Sequence, residues 1–377
     1  MKIAISATNP CHLYPLAREL AKLQCLDCYY SGYPRWKLQD AERLHIRTHS
    51  LRTNIVYGLL KFFPKSLRPD TRDMFLWQDR GFDEWVGRHL GKCDFIHAMP
   101  GQSLHIFRKA KALGIGTVMN HATGPVREWV RIMEPEYCRA GLKLEEVCPY
   151  DRNYFEREDR EYTLADFHCV ASTIVRDQLI NLGIDHNKLW VVPYGADRTL
   201  FFQDETPAPT RFTIVFAGQI GLRKGLKTLL DSLELSQQKD WQVELFGTIL
   251  DESKKDMSDY HGKPELKFHG AVSQSALAHA FRGASVLVLP SLEEGFGLVV
   301  PQALNSGLPC IVSERVGAKD LIRHHENGSI FKTQNPESLL NELLWWEARK
   351  ERPVDQYEWW EPAEKLLTLS KTALSLS

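Results

Sequence analysis

The 377-residue sequence has little that would tie it to a membrane span, an oxidising compartment or a nucleic acid. The longest stretch free of charge, residues 295–313, is broken by Gly295, Gly297, Pro301, Asn305, Gly307 and Pro309, so it reads as loop, short helix, turn and buried strand rather than as a span. Eight cysteines are too sparse for a disulfide scaffold in a chain of this size, which favours a reducing, cytoplasmic setting. After Met1 and Lys2 the apolar run Ile3–Ala7 is too short for a secretory leader. Lys plus Arg number 47 and Asp plus Glu 48, without the basic excess of a general nucleic-acid binder. The first turn that follows a strand, Ala7–His12, has no glycine, and no P-loop occurs anywhere, which argues against a nicotinamide dehydrogenase or a P-loop kinase. There is also no D-x-D pair of acids to hold a metal.

What is there is an α/β alternation, told twice. Strands are expected at residues 2–6, 94–98, 117–120, 167–171 and 188–192, with helices near 14–23, 103–113, 154–167 and 174–182. The helix at 154–167 stands out as highly charged. Residues 203–210 (QDETPAPT) are polar with two prolines and read as a linker. The alternation then restarts, with strands at 213–217, 242–246, 266–269, 285–289 and 310–312. Helices are expected at 224–235, 274–281, 299–304, 336–346 and 362–374. The expected fold is two facing, doubly wound Rossmann-like domains with a ligand cleft between them.

The densest chemical signal is residues 284–313. A buried strand ends at Pro290, a loop carries Glu293 and Glu294, and Gly295-Phe296-Gly297 turns the chain into a short helix. A helix start attracts phosphate, so a carboxylate beside one needs a reason, and binding sugar hydroxyls supplies it. Arg223 and Lys224 fall in the first strand-to-helix turn of the second half, at the same end of the sheet.

These residues resemble the retaining glycosyltransferases of the GT-B fold, family 4. Their acidic pattern is E-G-F-G-x-x-x-x-E. Here Glu294 stands at the first acid, Gln302 replaces the second, and Ala303, Gly307 and Pro309 follow in place. Phe216-Ala217-Gly218 with Arg223-Lys224-Gly225 is similar to the family's glycine loop, although Gln219 stands where an Arg is frequent. Val192-Pro193-Tyr194-Gly195-Ala196-Asp197, Ala318–Ile322 and Asn327-Gly328 match further stretches in order. The resemblance implies a metal-independent transferase that needs no cofactor and takes a nucleotide-diphosphate sugar as donor. It implies donor contacts from Gly218, Arg223, Lys224, Gly295, Phe296, Gly297, Leu298 and Gln302. It makes Glu294 and His121, in Thr117–Gly124, the catalytic pair. The acceptor would lie on the first domain, beside Tyr14, His97 and Ser103. The implied division is an acceptor domain at 1–202, a donor domain at 211–352, and a last helix within 353–377 that packs back on the first domain.

Two rivals stay open: a sugar-nucleotide epimerase of the same fold, and a nucleotide-sugar-binding subunit without activity, suggested by Gln219 and Gln302. Cys25 and Cys28 form a C-x-x-C without the further ligands a zinc site needs. Residues 35–69 hold eight Lys or Arg (Arg35, Lys37, Arg43, Arg47, Arg52, Lys61, Lys65, Arg68) against Asp40 and Glu42, with Tyr57, Phe62 and Phe63 among them. This stretch fits docking on an anionic membrane as well as it fits a solvated basic face. Donor base, sugar and acceptor are not legible in these motifs.

Overall fold

The computed structural model describes residues 1–38, 41–64, 67–148, 150–205, 207, 209–349 and 352–376. Asp40 and Lys65 of the basic stretch lie outside the described residues, as do parts of the linker and of the stretch near 352. Among the described residues no helix is long and apolar enough to cross a membrane.

The first half runs β1 (Ile3–Ala7), α1 (Leu13–Lys22), β2 (Leu26–Ser31), β3 (Ile46–Thr48), α2 (Leu51–Phe62), α3 (Thr71–His89), β4 (Phe95–Ala98) and α4 (Leu104–Ala112). It continues with β5 (Gly116–His121), α5 (Val126–Arg139), α6 (Leu144–Val147), α7 (Arg152–Leu164), β6 (Phe167–Val170), α8 (Thr173–Asn181) and β7 (Leu189–Val191). The second half runs β8 (Thr213–Ala217), α9 (Leu226–Ser236), β9 (Gln242–Phe246), α10 (Lys254–Ser258), β10 (Glu265–Gly270), α11 (Gln274–Arg282) and β11 (Val286–Leu289). It closes with α12 (Val299–Asn305), β12 (Cys310–Ser313), β13 (Gly328–Phe331), α13 (Pro336–Glu347) and α14 (Trp360–Leu376).

The strands form two parallel sheets, in the order β3-β2-β1-β4-β5-β6-β7 and β10-β9-β8-β11-β12-β13. Strand order reverses between β1 and β4 in the first and between β8 and β11 in the second. At such a point the loops leaving the strands' carboxyl ends diverge and open a crevice. Both sheets are covered on both faces, which explains why β1, β8, β11 and β12 are buried at every position.

One helix boundary differs from expectation. The helix expected from residue 224 starts at Leu226, because Gly225 takes a left-handed conformation (φ 70°) and ends a separate single turn at Leu222–Lys224. A Cβ there would lie 1.9 Å from the Pro290 carbonyl oxygen, so only glycine fits. The turn therefore holds Arg223 and Lys224 ahead of α9 rather than along it.

The chain crosses between the domains twice, and the crossings run side by side: the Ala196 N–H donates to Tyr357 O at 2.9 Å. Beyond the second crossing, α14 packs on α1. Ala363 and Leu366 are fully buried in the same cluster as Leu13, Leu16, Ala17 and Leu20.

Candidate functional site

Loops at the carboxyl ends of the two sheets meet, those after β5 and β6 on the first against those after β11 and β12 on the second. The Ser172 hydroxyl donates to Gly295 O at 2.6 Å, and Thr173 donates to the Asp320 carboxylate through its backbone and side chain, each at 2.7 Å. A Cβ on Gly295 would lie 2.7 Å from Thr123 Cα, so glycine is what lets the two domains touch there.

Four charged side chains gather on the second domain at this junction. Arg223 Nη1 donates to Glu293 O at 2.9 Å and to its carboxylate at 3.2 Å, and lies 3.6 Å from Glu294. Lys224 bonds the Glu294 carboxylate directly. Burial raises Glu293's proton affinity above the ordinary carboxylate range, although Arg223 opposes it. Burial acts the same way on Glu294, but there Lys224 and Arg223 outweigh it and hold the group below that range. The two adjacent acids thus differ in character, and Glu294 is the one kept charged.

A cavity of about 350 Å³ opens between the domains. Gln219, Arg223, Lys224 and Glu293 line it from the second domain, and Thr123, Gly124, Trp129 and Tyr150 from the first. A neighbouring cavity of about 370 Å³ lies in the first domain, and the two share Thr123, Gly124, Val126 and Tyr150. The described geometry therefore offers two adjoining chambers, one beside the cations and one beside the first sheet.

The remaining expected donor residues surround this floor. Gly218 follows β8, and a Cβ on it would sit 3.5 Å from Lys224 Cε. Phe296 is buried edge-on against Tyr194, with ring centroids 5.0 Å apart. Gly297 (φ 96°) turns the chain toward α12, and Leu298 is exposed. Gln302 donates its amide to Gln274 Oε1 at 3.0 Å, which joins α12 to α11.

The structure corrects the side-chain expectations on the first domain. Tyr14 lies on the inner face of α1, edge-on to Tyr29, in the core rather than on a cleft. His97 and Ser103 are fully buried; His97 pairs with the Asn120 amide at 2.9 Å, and the Ser103 hydroxyl faces Met119 sulfur. Burial drives His97 down to about 3, which keeps it neutral. His121 is likewise buried: its Nε2 meets His168 Nδ1 at 3.0 Å, its carbonyl accepts from the Tyr194 hydroxyl, and burial holds it well below the usual histidine range. What reaches the cavities is the backbone just after it, Thr123 and Gly124. These histidines end inward-facing strands, and a sheet covered on both faces leaves them no open side.

The sequence did not point to the first-domain chamber. Its wall includes Phe75, Gln78 and Asp79 from α3, Glu158 from α7, and Asp151 at the cap of α7. Nothing local marks these residues: α3 is not expected from the sequence, and α7 reads as an ordinary charged helix. A further trio, His324, His325 and Glu342, holds potential ligand atoms within 4.8 Å of one another, with both histidines exposed.

Two facing Rossmann-like domains with a charged floor at the second switch point define the GT-B fold. Residues 197–358, which comprise the second domain, match the family "Glycosyl transferases group 1". Among curated relatives, a D-inositol 3-phosphate glycosyltransferase of Pseudarthrobacter chlorophenolicus is 30% identical over 192 residues, covering 46% of each chain. The chain spans about half the length of the curated relatives it matches. Solved structures agree over the whole chain. Sucrose-phosphate synthase from Thermosynechococcus elongatus superposes with a TM-score of 0.67 at 16% identity, covering 100% of both chains. Anabaena HepE in complex with UDP gives 0.66 at 14%, covering 100% of this chain and 99% of that one.

Proposed function

We propose that the protein is a retaining glycosyltransferase that moves a sugar from a nucleotide-diphosphate sugar to an acceptor hydroxyl, without a resident metal. The observation that carries this reading is the Arg223–Lys224–Glu293–Glu294 cluster beside the interdomain cavity. In the free chain Lys224 is neutralised by Glu294. A diphosphate entering the cavity would take over Lys224 and Arg223. Glu294 would then be free to accept hydrogen bonds from donor sugar hydroxyls. The cations offset the charge that develops on the leaving diphosphate, which is where electrostatic stabilisation lowers the barrier. Glu293 also lines the cavity but is held by Arg223, and we assign neither it nor Glu294 to a glycosyl-enzyme bond. We therefore assign same-face attack, in which the acceptor oxygen bonds the anomeric carbon as the sugar–phosphate bond breaks, and the acceptor's proton passes to the leaving phosphate. Anabaena HepE, a structural neighbour with UDP bound, supports a nucleotide donor.

The test is a thermal-shift panel of UDP-, GDP- and ADP-sugars, followed by nucleotide release with and without acceptors in excess EDTA. Stabilisation by one nucleotide class and acceptor-dependent release in EDTA support the reading. Turnover of the nucleotide sugar without any acceptor would instead favour an epimerase.

We further propose that it works in the cytoplasm against an anionic membrane. On and beside α2, Leu51, Phe62 and Leu67 expose 65%, 75% and 70% of their surface, and Trp36 exposes 79%. Lys61 sits over the Phe62 ring at 5.3 Å, and Arg52 stacks on Trp77 at 4.6 Å. Exposed aromatic and aliphatic groups interleaved with cations suit an interfacial contact.

A further inference from the structure

The first-domain cavity is built in a way that specifies its occupant. Three helix starts surround it, and each already holds an internal carboxylate. Glu161 accepts from the N–H groups of Gly101, Ser103 and Leu104 at 2.6, 3.0 and 3.0 Å, while Asp83 accepts from His105 and Ile106 along the same turn of α4. Glu158 accepts from Val126 N at 3.2 Å, at the start of α5. Asp151 caps α7 through Tyr154 N at 2.9 Å. Helix starts are the usual seats for a phosphate, and here they are filled. Among the described residues Arg72 is the one cation in the lining, and Asp70 holds it at 2.6 Å.

What remains open to a ligand is hydrogen bonding and flat apolar surface. Gln78 lines the cavity and is 99% buried (1% exposed), yet its Oε1 has no protein partner. Asp79 lies beside it; burial lifts this carboxyl to about 7, so it can accept from or donate to a hydroxyl, and in its ionised form it repels a phosphate. Gln102 Oε1 is taken by Thr8 at 2.7 Å, which fixes the amide and leaves Nε2 as the donor on offer. Phe75 and the Tyr150–Tyr154 pair, with ring centroids 4.4 Å apart, supply the apolar wall. An unpartnered buried amide, a half-buried acid and aromatic faces together match a ring that carries hydroxyls on its rim and C–H groups on its face.

We propose that this cavity seats the acceptor as an uncharged polyhydroxyl ring, a sugar or cyclitol, and rejects one phosphorylated on the seated ring. The proposal rests on the transferase reading only in naming this ligand the acceptor. Asp79 and Gln78 bind its hydroxyls, and Phe75 packs against its face.

The experiment is saturation-transfer NMR on the full chain with methyl α-D-glucopyranoside, myo-inositol, glucose 6-phosphate and myo-inositol 1-phosphate, with UDP calorimetry in parallel. Neutral probes should bind and phosphorylated ones should not. Asp79→Asn and Phe75→Ala should each weaken the neutral probes at least about tenfold, with UDP affinity unchanged; Phe75 is partly exposed, so its variant keeps the test valid if Asp79→Asn misfolds. Phosphorylated probes binding as well as neutral ones, no binding of any probe, or neutral affinity within twofold in both variants overturns the proposal. Failure of UDP alone to bind sinks the donor reading and leaves the sugar result to decide this one.

Discussion

Glu293 and Glu294 are neighbours in sequence, yet one is raised and the other lowered in proton affinity: burial prevails at Glu293, while at Glu294 the directly bonded Lys224 and nearby Arg223 outweigh it. Replacing Glu294 by Ala should lower kcat by on the order of 10²-fold, as expected for losing an oriented electrostatic contact. Lys224→Ala should weaken nucleotide diphosphate binding far more than nucleoside binding, measured by calorimetry on both ligands. Glu158 gives a pH prediction. Burial, its first cause, lifts it to about 7 from an ordinary 4.5. The folded chain therefore holds this proton more tightly than the unfolded one. The group favours folding fully below about 4.5, and that contribution is lost as pH rises toward 7, with a slope approaching about 1.4 kcal/mol per pH unit. Glu158→Gln keeps the acceptor for Val126 N–H, so its melting temperature should gain on the parent between pH 5 and 8. A constant difference across that range would contradict the assignment.

At the scale of elements, the turn at Gly225 decides where the cations stand. Gly225→Ala should lose at least about 1–2 kcal/mol from the left-handed backbone alone, before its clash with Pro290, as read from a urea midpoint. The α2 surface should carry the chain onto phosphatidylserine vesicles at low salt and release it at high salt, while neutral vesicles fail to sediment it. Phe62→Ser with Lys61→Glu should abolish that binding and leave nucleotide affinity intact. The second domain's strands were legible because apolar runs of four or five residues end at glycines or prolines, as β8 and β11 do. Residues 26–93 were not. β3 has three residues, β2 mixes Asp27 and Ser31 with apolar residues, and α3 mixes Gln78, Asp83 and Gly81 into its buried side. The charged helix α7 was visible, but not that Arg157, Glu158 and Glu161 point inward. Arg157's partner Asp83 is 74 residues away, and no local pattern announces a pairing over that distance. The floor of Arg223, Lys224, Glu293 and Glu294 was legible because all four lie in two short loops; the first-domain chamber was not, because its lining is drawn from α3, α7 and several loops far apart in sequence.

For the whole molecule, the return of α14 to α1 makes the second domain an insertion within the first. The apolar stripe Leu13, Leu16, Ala17 and Leu20 finds its cover in Ala363 and Leu366, some 340 residues later. During synthesis the first domain thus emerges with an unfinished face and waits for the rest of the chain, while the inserted domain has all its strands at hand and can complete its sheet first. A chain stopped after residue 352 should aggregate, with that stripe uncovered. A chain cut by protease within 203–210 should still elute as one particle in size-exclusion chromatography, since its last helix stays seated on the other fragment.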